Sequence, residues 1–290
     1  MSDIDDKARQ GSCCGPQVER EPAGDHQDLI RNAYARVAEN TWEGGACGTE
    51  SACCGGGASE QEKINTLFST RLGYSESDLL QVPEGADMGL GCGNPNAIAA
   101  LRPGEVVVDL GAGGGFDCFL AAREVGEAGR VIGVDMTPEM VSKARNNAVR
   151  GDFANVEFRL GEIEHLPVAD DTADVILSNC VINLSNDKPG VFREAWRILK
   201  PGGRLAISDV VASVPLPPEL SEDTGLIAGC MGNASLIEDL ERMMVDAGFR
   251  DIAIEPKDDS REFIRDWAPG RGVDDYVVSA TIEAIKPTLD

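Results

Sequence analysis

Residues 106–118 read VVVDLGAGGGFDC. Val106, Val107 and Val108 with Asp109 and Leu110 predict a short buried strand, because β-branched side chains favour extended backbone. Gly111, Gly113, Gly114 and Gly115 then make a tight turn, and a helical run starts near Phe116. Strand, glycine turn and helix in that order seat a nucleotide-like ligand in an open α/β sheet. Glycine takes positive φ and lets ligand atoms approach the backbone. The first N–H groups of the following helix have no partner inside it and point at the ligand.

The turn does not fit a dinucleotide. A G-x-G-x-x-G fingerprint wants glycine at 116, where this chain has Phe116. Asp109, just before the turn, suits a positively charged ligand better than a pyrophosphate. A second strand, Val131–Val134, ends at Asp135, an acid placed to accept hydrogen bonds from ribose hydroxyls. Together Asp109, the glycines and Asp135 resemble the S-adenosylmethionine (SAM) site of class I methyltransferases. That resemblance implies that Asp109, Gly111 and Gly113 lie near the methionine part of SAM. It implies Asp135 and Met136 at the ribose and adenine, Gly161, Glu162 and Ile163 along the adenine, and Asn179 at the end of the fourth strand.

Outward from this centre, strands and helices alternate. Strands are expected at 156–160, 174–178 and 204–209, and helices from Pro138 and from Lys188. Pro201-Gly202-Gly203 is expected to end the second of these helices. The alternation predicts an α/β fold, a doubly wound and mostly parallel Rossmann-like sheet, with a helical N-terminal arm and a C-terminal substrate-binding region. Ser235 with Glu238 predicts a capped helix ending at Gly248, and 252–255 and 276–283 read as final strands with an antiparallel edge. Three regions follow: 1–58, a cysteine-containing arm and lid helix; 59–212, the SAM-binding unit; and 213–290, an acceptor-binding insertion with the last strands. Within the arm, Asp25–Ala38 has helical spacing, and Ser59 with Glu62 predicts a capping box. Tyr34 and Trp42, near the N-terminal cysteines, are read as core packing, with shaping of a cofactor lid as the alternative.

Of the 290 residues, 26 are Lys or Arg and 50 are Asp or Glu, a net charge of -24. Such a charge argues against a phosphate-backbone partner. No apolar run reaches membrane-span length and no leader-like stretch opens the chain, so no nucleic-acid or membrane partner is expected and the cytoplasm is the expected location.

Nine cysteines, an odd number, argue against a stable disulfide framework and for reactive or soft-ligand-binding thiols. Cys180 follows Asn179 at the carboxyl end of the fourth strand, which is expected beside the first. Cys92 lies in the turn-rich segment EGADMGLGCGNP (84–95), outside any regular element, and Cys230 in the crossover after strand five. Three thiolates meeting above the sheet select a soft acceptor, and trivalent arsenic fits: it bonds to three sulfurs and keeps a lone pair. That lone pair can attack the sulfonium methyl of SAM without a general base. With free thiols near a pKa of about 8.5, arsenic binding is expected to release protons. Cys118, one turn into its helix, reads as a core residue.

The stretches GLGCGNP, VVVDLGAGGGFDC, GVDMT, SNCVINLSNDK, AGCMGNA and VVSATIEAIKP resemble arsenite SAM methyltransferases, from about residue 60 to the end. The resemblance implies arsenite or its thiol conjugates as substrate, held by Cys92, Cys180 and Cys230, with Cys180 and Cys230 the essential pair. It also implies an N-terminal cysteine in a disulfide relay, Cys47 with Cys53 and Cys54 as rivals, and a thiol reductant such as thioredoxin or glutathione. Two other functions remain open at this point: a SAM-dependent C- or O-methyltransferase acting on a small metabolite such as a quinol, and a thiol-rich metalloid-binding protein without catalysis.

Overall fold

The computed structural model describes residues 26–39 and 60–288. Cys13, Cys14, Cys47, Cys53, Cys54, Trp42 and the Ser59 end of the expected capping box lie outside the described residues.

Strands β1 (Val106–Leu110), β2 (Arg130–Asp135), β3 (Val156–Leu160), β4 (Ala173–Asn179), β5 (Leu199–Ala212), β6 (Arg250–Lys257) and β7 (Val277–Ile285) form one sheet. Their order is β3-β2-β1-β4-β5-β7-β6. β1 pairs in parallel with both β2 and β4, and β7 runs antiparallel to β5 and β6. The expected doubly wound architecture is therefore observed, including the antiparallel edge. The helices are α1 (His26–Ala38), α2 (Glu60–Arg71), α3 (Glu76–Gln81), α4 (Pro95–Ala99), α5 (Phe116–Val125), α6 (Pro138–Arg150), α7 (Lys188–Ile198), α8 (Pro218–Ser221), α9 (Thr224–Ala228), α10 (Ile237–Ala247) and α11 (Arg261–Trp267).

A parallel sheet must be covered on both faces, and side chains alternate between the faces along each strand. Val108, Leu110, Ile132 and Ile176 turn to the face packed by Val191, Phe192 and Ile198 of α7 and by Leu240 and Met244 of α10. Val107, Val131, Val175 and Leu177 turn to the other face, packed by Phe119, Ala122 and Val125 of α5 and by Val141 and Ala144 of α6. Cys118 is fully buried in this second core, as expected.

Two local expectations are corrected. Ser235 does not cap α10: the N-cap is Leu236, with no side-chain capping bond, and the Ser235 hydroxyl accepts from the Lys188 ammonium at 2.7 Å instead. Glu238 and Asp239 still place negative charge in the first turn, where the helix dipole favours it. Strand five also exceeds its expected length, running from Leu199 through Pro201-Gly202-Gly203. Gly202 there takes φ +83 and its N–H donates to the Lys286 carbonyl at 2.7 Å, so the glycines continue the pairing instead of ending it.

Candidate active site

The carboxyl ends of β1, β2 and β4 open into one cavity of about 680 Å³. An open α/β sheet binds ligands at this edge. At the donor end the wall is made by Gly111, Gly113 and Gly114 with Asp109, Asp117 and Asp135. Gly111 takes φ +70, and a Cβ there would lie 2.3 Å from a Val181 methyl carbon, so the turn needs glycine on both counts. Asp135 closes the turn from β2. Its carboxylate accepts from the Gly113 N–H at 2.9 Å and from the Thr137 N–H at 2.8 Å.

Asp109 accepts from the Cys118 thiol at 3.1 Å. Asp117 accepts from the Tyr74 hydroxyl at 2.7 Å and from the Asn96 amide at 2.8 Å. Burial, before any other cause, pushes the carboxyls of Asp109, Asp117 and Asp135 above the usual range. Among the described residues none of the three forms a salt bridge. Gathered buried acids without a cation of their own are complementary to a ligand of net positive charge. SAM, with an ammonium and a sulfonium against one carboxylate, is such a ligand. Met136, Gly161 and Ile163 continue the wall, whereas Glu162 does not line it. Glu162 turns toward α1 and pairs with Arg31 at 3.5 Å.

At the acceptor end stand Cys180, Cys230 and Tyr34. Cys180 follows the last residue of β4, where its own N–H still pairs with the Ser208 carbonyl at 2.8 Å. The backbone then turns left-handed, with φ +60 at Cys180 and φ +63 at Cys230. A non-glycine residue in this region costs on the order of 1–2 kcal/mol, a strain that persists where the surroundings hold it. Asp209 holds the Cys180 turn from β5. It accepts from the Ile182 N–H at 2.9 Å and from the Asn183 amide at 3.0 Å. Burial pushes Asp209 up to about 6, against the pull of the Val210 and Ile182 N–H groups and of Lys188. The Cys230 segment is tied to the same turn by the Asn233 amide, which donates to the Asn183 and Ser185 carbonyls at 3.0 Å each. Lys188 holds it from α7, donating to the Asn233 carbonyl.

The three thiols meet. The Cys230 thiol donates to the Cys180 carbonyl, and Cys180 packs beside both Cys230 and Cys92. The sulfurs of Cys92 and Cys180 and a carboxylate oxygen of Asp209 all lie within 4.8 Å of one another. Cys92 is outside any regular element, as expected, yet only 2% exposed, and it sits behind Cys180 rather than on the cavity wall. Asp209 spends both oxygens on backbone and amide N–H groups, so its role is to shape the turn.

All three thiols are pushed above the ordinary cysteine value. In Cys92 burial is the main cause. In Cys230 it is the hydrogen bond with Cys180, followed by burial. In Cys180 the largest influence, the bond from Cys230, lowers the value, but contact with Cys92 and burial outweigh it. The groups are therefore neutral thiols near pH 7. A raised pKa keeps the thiolate fraction small, so alkylation of Cys180 by iodoacetamide is expected to keep accelerating above pH 9, beyond the free-cysteine value of about 8.5. Mass-spectrometric rates against pH check this, and a plateau below pH 8 would contradict it.

Helix α1 roofs this end. Ile30 is fully buried against Leu184 and Cys230. The Tyr34 hydroxyl donates to the Ala228 carbonyl at 3.4 Å, and Tyr34 packs beside Cys230. Tyr34 packs against Ile30, Leu184 and Cys230, as expected, and it also lines the cavity. Asp117, Tyr74 and Asp209 were not among the expected site residues. Asp117 had one available signal, its place at the second position of the helix after the glycine turn.

Asn179 sits at the end of β4 and on the cavity wall, as placed from the sequence. Its side-chain amide reaches Gly93, Tyr74, Asp117 and Cys92, so it ties the acceptor and donor ends together.

A seven-stranded sheet of this order, with an acid-lined glycine turn at its switch point, defines a class I SAM-dependent methyltransferase fold. A methyltransferase-domain family model matches residues 101–248. The chain is 51% identical over 280 residues to an arsenite methyltransferase of Halobacterium salinarum, covering 94% of this chain and 69% of that one. An arsenite methyltransferase of Aquipseudomonas alcaligenes is 41% identical, over 77% of this chain and 62% of its own length. The crystal structure of an arsenic(III) S-adenosylmethionine methyltransferase from Chlamydomonas reinhardtii superposes with a TM-score of 0.57 at 32% identity, covering 77% of this chain and 73% of that one. The chain belongs to the arsenite methyltransferase family.

Proposed function

We propose that this chain transfers the methyl group of SAM to trivalent arsenic held by Cys92, Cys180 and Cys230. The observation that carries the reading is the pair Cys180 and Cys230 at one end of a cavity, with Cys92 directly behind Cys180, while the other end gathers buried acids. Asp109, Asp135 and the Gly111–Gly113 turn hold the donor, with Met136, Gly161, Ile163 and the Asn179 end of β4 along its length. SAM supplies an electrophilic methyl group on a sulfonium. The cysteines act as neutral thiols, so each displaced arsenite hydroxyl leaves with a thiol proton as water. The thiols fix arsenic with its lone pair free, and no protein base is needed for the transfer. Positioning is the site's main work, and holding the reactants close and in line is a large part of any such rate. Gln27 and Tyr34 of α1 line the cavity, and Ile30 packs beside Cys230.

Methylation raises arsenic to the pentavalent state. Two of the bound cysteines return it to the trivalent state by giving up two electrons and joining as a disulfide. An external thiol, glutathione or thioredoxin, then reduces that disulfide, with Cys47 as the relaying cysteine. Contact of Cys180 with both other thiols supports this step. A reducing compartment suits it, and among the described residues no helix is long and apolar enough to cross a membrane.

Incubation with arsenite, SAM and glutathione is expected to yield methylated arsenicals and S-adenosylhomocysteine together. Arsenite binding without S-adenosylhomocysteine, or turnover with a quinol and none with arsenite, would overturn the reading.

A further inference from the structure

Cys92 lies in residues 82–94, which form neither helix nor strand. Its backbone is nevertheless gripped on both sides. The Cys92 N–H donates to Asn179 Oδ1 at 3.0 Å, and the Gly93 carbonyl accepts from Asn179 Nδ2 at 2.9 Å. From β7, the buried Ser279 hydroxyl donates to the Cys92 carbonyl at 2.6 Å. The flanking glycines allow this approach. A Cβ at Gly91 would stand 2.8 Å from the Asn179 amide nitrogen, and one at Gly93 would stand 2.8 Å from the Ser208 hydroxyl. Cys180 and Cys230 need no such clamp, since each is fixed by its own turn and by contact with the other.

We propose that Asn179 and Ser279 are positioning residues that hold Cys92 as the third arsenic thiol. They thereby set selectivity between inorganic arsenite and a monomethylated arsenic(III) acid. The argument rests on the thiol-bound acceptor described above. Arsenite has three exchangeable hydroxyls and uses all three thiols. A monomethylated arsenic(III) acid has only two and is satisfied by Cys180 and Cys230. A loosened Cys92 therefore costs the first acceptor an arsenic–sulfur bond and leaves the second untouched. An irregular loop holds its thiol in place only if its backbone groups are tied down, because a mobile third ligand must be ordered on each binding event.

The test uses full-length Ser279→Ala and Asn179→Ala proteins. Ser279→Ala removes one hydroxyl away from the cavity wall and leaves the Ser279 N–H bonded to the Ser260 hydroxyl at 2.8 Å. The KM for arsenite is expected to rise about fivefold in Ser279→Ala and about tenfold or more in Asn179→Ala, as one and two hydrogen bonds to the Cys92 segment are lost. The KM for the monomethylated acid is expected to stay at the wild-type value in Ser279→Ala, as is SAM affinity. X-ray absorption at arsenic is expected to give three sulfur neighbours in the wild type and a fall toward two in the variants. Ser279→Thr, which keeps the hydroxyl, is expected to restore the arsenite KM.

An unchanged arsenite KM in both variants, with three sulfurs retained, would overturn the clamp. So would an equal rise for the two acceptors, which marks a general packing defect. A wild-type protein whose bound arsenic lacks a sulfur shell would instead overturn the thiol-bound acceptor itself.

Discussion

Cys180→Ser is expected to reduce arsenite methylation more than about 100-fold, the order of loss that follows a misplaced reacting atom, while SAM binding stays intact. Cys180 packs beside both other thiols and lines the cavity. A serine hydroxyl is a hard oxygen donor and does not replace a soft sulfur toward arsenic. The substitution is nearly isosteric, so Asp209 still accepts from Ile182 and Asn183 and the turn survives. The check is initial-rate formation of S-adenosylhomocysteine with arsenite, beside calorimetry with S-adenosylhomocysteine alone. Substantial turnover in Cys180→Ser, or loss of donor binding with it, would remove Cys180 from its central place.

Asp135→Ala is expected to weaken donor binding by about 1–3 kcal/mol, roughly 5- to 150-fold, by leaving polar groups of donor and protein unpaired. The structure adds a second loss beyond the ribose contact implied by resemblance. The Asp135 carboxylate accepts from the backbone of Gly113, which is part of the donor turn, and of Thr137, at the head of α6. Removing it loosens the turn as well as the contact, so thermal stability should fall along with affinity. Asp135→Asn keeps one acceptor oxygen and should fall between wild type and alanine. Calorimetry with S-adenosylhomocysteine and a thermal unfolding curve on all three proteins measure this. Unchanged affinity in Asp135→Ala would take the residue out of the donor site.

Much of the molecule was legible locally. The valine run, the glycines and Asp109 predict β1, its turn and α5, because strand propensity, positive φ and helix initiation are each set by a few neighbouring residues. Pro138 marks the start of α6 in the same way. The run of short β and α segments likewise implies a parallel sheet, since parallel neighbours need crossovers of this length. That in turn puts Cys180 at the ligand edge beside β1.

Local signals misled where a distant partner competes for the same group. Ser235 carries a capping pattern, but the buried Lys188 ammonium takes its hydroxyl. Glu162 follows β3 where the resemblance places the adenine, yet Arg31 of α1 draws it away from the cavity. Tyr34 packs into the core as its spacing predicts, but only the docking of α1 against α9 also puts it on the cavity wall.

The sequence by itself determined the fold class and the acid-flanked glycine turn, and it singled out Cys92, Cys180 and Cys230 as candidate thiols, all from short-range pattern and residue chemistry. Only the tertiary structure decided how those thiols are held: the left-handed backbone at Cys180 and Cys230, Asp209 beneath the turn, and Ser279 reaching Cys92 across 187 residues. Such contacts join groups with no local signature, because the packing of the whole sheet, not the neighbouring residues, sets which polar atoms must satisfy one another once water is excluded.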